Sequence, residues 1–163
     1  MRRANLFSLE IPRGDGPGDG PSDEPPGYDA QQVQVGQLIG STLLGATIYE
    51  LPPGQSNCPY HYEYGNEEWL IVIAGRPSLR HPLGEDVLVA GDVVCFPEGP
   101  SGAHKLTNRT GETVRFAILS TKQSPAVAVY PDSDKLAVWR LGDSGERLIT
   151  RRSSAVDYWD GET

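Results

Sequence analysis

From Gln31 onward the chain is built of short apolar runs between turn residues, and none of the runs keeps a helical period. Val33, Val35, Leu38 and Ile39, then Leu43 to Leu51, read as two strands. The second is stopped by Pro52-Pro53-Gly54, because proline cannot donate to a ladder. Tyr60 to Tyr64 alternates strictly. Side chains two apart in a strand share a face, so His61 and Glu63 project together while Tyr60, Tyr62 and Tyr64 project oppositely. Gly65-Asn66 is a hairpin signal, and a hairpin there returns Glu68 to the face of His61 and Glu63. Trp69 to Ala74 is apolar at both parities. Leu70 and Val72 share the Glu68 side, whereas Trp69, Ile71 and Ile73 form an outward row that suits the middle of a sandwich or a subunit interface.

Turn signals then recur at Gly75-Arg76-Pro77, His81 to Gly84, Ala90 to Asp92, Pro97 to Gly102 and Asn108 to Glu112. Short strands at this spacing predict an all-β sandwich or jelly-roll barrel. Beyond Thr121 the pattern loosens, with strands expected at Ala126 to Tyr130 and Leu136 to Arg140 and a turn at Gly142 to Gly145. Tyr158 and Trp159, two aromatics among acids at the end, are expected to dock on the barrel. At the other end, Leu6 to Leu9 reads as a short strand and Pro12 to Gly27 as a Gly/Pro/Asp linker. The linker is long enough for the arm to lie on its own surface or to be exchanged between subunits, and a disordered tail is an equal alternative. The organisation is therefore an arm and linker over residues 1–30, a barrel over 31–121 and a C-terminal extension over 122–163 packed on it.

Size and charge narrow the function classes. A chain of 163 residues suits one domain. Its formal net charge of -8 argues against nucleic acid as a partner. Arg147, Arg151 and Arg152 read as a solvated cluster. The first residues lack the apolar core of a secretion signal, so the expectation is a cytoplasmic protein without a membrane partner. Two cysteines fit reduced thiols; Cys95 in Val93-Val94-Cys95-Phe96 reads as a small buried hydrophobe, and Cys58 precedes the His61 segment. His81, in a Pro-Gly turn, reads as a surface residue.

A second cluster changes the picture: Gly91, Pro97 and Gly99, followed by His104 and Asn108. Together with Gly54, His61, Glu63, Glu68 and Gly75, it resembles the two motifs of the cupin superfamily. Glu63 stands where the family has the second His of the first motif, and two extra residues separate Gly99 from His104. The resemblance implies a double-stranded β-helix with a metal at its open end. His61, Glu63, Glu68 and His104 are then the candidate ligands. Two imidazoles and two carboxylates suit one divalent ion among Mn, Fe, Zn, Ni and Co, and the extra carboxylate disfavours copper. The alternative is a metal-free barrel whose polar residues bond across the mouth, at the expense of burying two carboxylates. The resemblance covers enzymes, with oxygenase, isomerase or lyase chemistry on a small organic molecule, and equally covers non-catalytic metabolite-binding modules and structural dimers with an incidental metal. No general base is singled out. The outward row of Trp69, Ile71 and Ile73 gives a homodimer as the expected assembly.

Overall fold

The computed structural model describes residues 1–12, 25–140 and 147–163. Most of the expected linker and the expected turn at Gly142 to Gly145 lie outside the described residues. In chain order the elements are β1 (Gln31–Val33), α1 (Val35–Ile39), β2 (Leu44–Leu51), β3 (Tyr62–Tyr64), β4 (Glu68–Ala74), β5 (Ser78–His81) and β6 (Gly84–Val87). They continue with β7 (Val93–Phe96), β8 (Lys105–Thr107), β9 (Val114–Thr121), β10 (Ala126–Tyr130), β11 (Lys135–Trp139) and β12 (Arg147–Arg151).

One wall is a five-stranded antiparallel sheet in the order β1-β2-β9-β4-β7. Facing it are a four-stranded sheet, β12-β11-β10-β3, and a three-stranded one, β6-β5-β8. Isolated bridges from Ser56 to Thr107 and from His61 to His104 join these two smaller sheets into a second wall. The whole is the double-stranded β-helix that the motifs imply. Between the walls Leu51, Leu70, Val72, Leu79, Leu106, Val114 and Phe116 form the core. Burial of each such side chain stabilises the fold by about 1.5–3 kcal/mol. Gly75 marks one corner: its φ is +83°, and a Cβ there would meet Val114 Cγ1 at 2.7 Å.

Several expectations are corrected. The Gly65-Asn66 turn does not close a hairpin. β3 pairs with β10, whereas β4 pairs with β7 and β9, so residues 65–67 carry the chain from one wall to the other. Glu68 still faces His61, because the inner faces of the two walls look at each other. Val35 to Ile39 is a short helix rather than part of a strand, ended by Gly40 in the left-handed region at φ 78°.

The N-terminal arm is not a strand, yet its apolar residues are used. Ala4, Leu6, Leu9 and Ile11 pack over Val35, Ile48 and Ala117, with Ile73 and Leu119 alongside. Arg115 Nη2 donates to the Leu9 carbonyl at 2.5 Å and Nη1 to Glu50 Oε1 at 2.8 Å, fastening the arm to the five-stranded sheet. The arm thus covers the Ile73 end of the outward row, while Trp69 remains 47% exposed. Cys95, expected inside, is exposed beside Trp69, because Val93 and Cys95 share the outward parity of β7 while Val94 and Phe96 point in. Tyr158 and Trp159 do not dock. They are 83% and 71% exposed and meet each other edge to face, and the hydrogen bonds of residues 157–162 are turn bonds within that segment.

Candidate metal centre

His61 and His104 lie on neighbouring segments of the second wall, where reciprocal backbone hydrogen bonds of 3.2 and 2.8 Å lock their register. Their rings are 4.7 Å apart. Glu68 opens β4 on the opposite wall, with Oε2 3.6 Å from His104 Nε2. One ligand atom from each of His61, Glu68 and His104 falls within 4.8 Å of the others.

The ring nitrogens are oriented by the backbone. His61 Nδ1 lies 3.0 Å from the Pro59 carbonyl, and His104 Nδ1 lies 2.9 Å from the Gly102 carbonyl. A carbonyl only accepts, so each Nδ1 carries the proton and each Nε2 presents a lone pair. Phe96 stacks on His104 at 3.7 Å and 7°, fixing the ring plane. Gly102 permits the approach, since a Cβ there would meet the Pro97 carbonyl oxygen at 1.8 Å.

Burial, with His61 beside it, pushes the His104 pKa down to about 3, and burial lowers that of His61. Both rings are therefore neutral near pH 7. Burial first, and then the neighbouring Glu63 carboxylate, raise Glu68 to about 8. Two lone pairs and a buried carboxylate thus converge with no donor among them, an arrangement that a divalent cation satisfies and that is otherwise relieved by a proton on Glu68. The residues fit a metal.

Glu63 projects from the same face as His61 but stands outside this trio. Asn66 Nδ2 donates to Glu63 Oε2 at 2.8 Å, and Asn66 Oδ1 accepts from Gln123 N at 3.0 Å, which fixes the amide the right way round. Burial raises the Glu63 pKa, and the Asn66 hydrogen bond opposes that. The sequence marks Asn66 only as a turn residue, yet it is buried and also borders a surface cavity of about 560 Å³. Asn108 and Leu106, which share the His104 parity, are structural. Leu106 lies in the core, and the Asn108 amide donates to the Leu51 and Glu112 carbonyls. Cys58 Sγ is 3.6 Å from His61 Nδ1, its thiol pushed up by burial. Tyr60 and Tyr62 pack with Ala103 and Val129 on the far side of the wall. Tyr130 carried no sequence signal, and it stacks on His61 at 5.8 Å and 24°.

Residues 47–121 match the family model of the cupin domain. No curated protein matched the sequence. Among solved structures, a sugar phosphate isomerase of the cupin superfamily from Silicibacter pomeroyi DSS-3 superposes with a TM-score of 0.71 and 26% identity, over 80% of this chain and 82% of that one. A protein provisionally assigned as a sugar phosphate isomerase, from Acidithiobacillus ferrooxidans ATCC 23270, gives 0.74 and 23%, over 81% and 82%. The polyketide cyclase RemF from Streptomyces resistomycificus gives 0.57 and 19%, over 77% and 83%. With both motifs in place on a double-stranded β-helix, residues 47–121 form a cupin domain, and the chain is similar over four-fifths of its length to a cupin-superfamily structure.

Proposed function

We propose that the protein is a metal-dependent cupin enzyme that isomerises a small phosphorylated sugar or a close analogue of one. The observation that carries this reading is the convergence of the His61 and His104 Nε2 lone pairs on the Glu68 carboxylate from the facing wall. The name of the Silicibacter pomeroyi structure supplies the substrate class. His61, Glu68 and His104 would hold one divalent ion among Mn, Fe, Co, Ni and Zn, with Glu63 as fourth ligand through the oxygen that Asn66 leaves open. When bound, the ion acts as a Lewis acid on neighbouring carbonyl and hydroxyl oxygens of an enolisable substrate. The chain contributes neutral imidazoles, whose Nδ1 protons the backbone carbonyls retain, and a wall of Phe96 and Tyr130 that limits water. A cytoplasmic homodimer without nucleic-acid or membrane partners completes the proposal.

The test starts with protein purified without chelator or His tag. Stoichiometric divalent metal by elemental analysis is expected, followed by NMR detection of solvent deuterium entering the carbon beside the carbonyl of fructose 6-phosphate. Protein that carries no metal, and whose melting temperature responds to none of the five ions, would refute the metal site. Metal with neither deuterium incorporation nor aldose–ketose interconversion across the sugar phosphates tried would refute the isomerase assignment.

A further inference from the structure

The strand register draws a line across the face of the second wall that carries His61 and His104. His104 bridges His61. Tyr62 pairs with Val129, which sets His61 beside Tyr130. Tyr130 pairs with Lys135, and Lys135 pairs with Arg151. Directly paired residues share a face, so His104, His61, Tyr130, Lys135 and Arg151 form one cross-strand row. The side chains follow the backbone. The His61 and Tyr130 rings stack at 5.8 Å, and Lys135 Nζ lies 5.2 Å from the Tyr130 centroid. Those two distances place the ammonium at most about 11 Å from the His61 ring, in line with two strand spacings of about 4.8 Å each.

We infer that the Tyr130–Lys135 end of this row is the subsite for an anionic group of the substrate, a phosphate, while the His61–His104 end takes its reacting carbons. The inference rests on the metal-dependent reading above and adds how the substrate is held. Charge favours such a subsite. A divalent ion would offset Glu63 and Glu68 but leave the chain with a net negative charge, so a phosphate is held better where it meets a cation of its own. Lys135 forms no ion pair among the described residues. The nearby acids are engaged elsewhere: Asp132 with Arg80, and Asp134 with the Ser153 amide. Arg151 gives one nitrogen to the Ser133 carbonyl and stands at the exposed end of the row. Two strand spacings, about 10 Å, are comparable with the span of a phosphorylated monosaccharide and longer than a free phosphate or a two-carbon acid, which favours the longer ligand.

Inorganic phosphate probes the cationic end alone. Titration followed by calorimetry or amide chemical shifts should show saturable binding to the full chain, at least tenfold weaker in Lys135→Met and restored in Lys135→Arg. Lys122→Met, an exposed lysine in the connection after β9, should bind as the parent does. Binding should persist in His104→Ala, which separates this inference from the metal reading. Glucose 6-phosphate should bind more tightly than glucose or phosphate alone, and Lys135→Met should remove the advantage. The subsite assignment is overturned if the parent does not bind phosphate, if Lys135→Met binds it equally well, or if His104→Ala abolishes binding. Chelated protein that still binds phosphate but never binds a divalent ion would sink the metal reading and leave the subsite standing.

Discussion

With chelator present, raising the pH should destabilise the protein, and the pair Glu63–Glu68 sets the window. Glu68 carries a pKa of about 8 in the fold against 4.5 unfolded. A carboxyl whose folded pKa is raised contributes stability that is complete below the unfolded value and is lost as pH rises through the folded one. The imidazoles act in the opposite sense: His104, at about 3 against 6.5, adds stability as pH rises to 6.5 and nothing beyond. Between pH 6.5 and 8 the carboxylates act alone. At about 1.4 kcal/mol per pH unit, the loss there is about 2 kcal/mol, or about 4–8 °C in melting temperature for a chain of this size. The assay is thermal unfolding by circular dichroism in chelator from pH 6 to 8.5, on the parent and on Glu68→Gln, which cannot ionise. The parent should lose melting temperature with pH, and Glu68→Gln should be nearly flat. Adding the cognate ion should remove the alkaline decline, since the cation takes the place of the proton. A parent curve flat from pH 6.5 to 8, or a Glu68→Gln curve of the same slope, would refute the reasoning.

His104→Ala should weaken divalent-ion binding by at least about 100-fold, measured by calorimetry, because no other side chain in the trio replaces its directed nitrogen. Gly75→Ala should cost about 2–4 kcal/mol in denaturant unfolding, from the positive φ together with the 2.7 Å contact with Val114. Removing residues 1–11 should lower the melting temperature by several degrees and raise dye binding, since Leu6, Leu9 and Ile11 would leave the Ile48–Ala117 cluster uncovered. Sedimentation should show a dimer that Trp69→Asp dissociates; a parent that stays monomeric at high concentration would overturn that assembly.

The sequence carried more of the fold than of the site. Alternation from Tyr60 to Tyr64 placed His61 and Glu63 on one face and two tyrosines on the other, because period two is a property of the backbone itself. Partner choice is not local. Gly65-Asn66 has the same turn chemistry whether it closes a hairpin or crosses between walls, and only the long-range pairing of β3 with β10 decides. Cys95 failed for a related reason: Val93 to Phe96 is apolar at both parities, so its pattern cannot say which face is open. Tyr130 and Lys135 sit in a segment with weak periodicity, and their place beside His61 follows from register across about seventy residues of chain.

The two imidazoles come from one wall of the barrel and Glu68 from the other, so an ion held by all three is a rivet through both sheets. Its loss would do more than empty a site. It would loosen the hold of the walls on each other at the mouth, where residues 65–67, 97–104 and 122–125 carry the chain across. Amide exchange at the first residues of β4 and the last of β9 should then report the ion more sharply than exchange in the Phe116 core, which the sheets hold together without it.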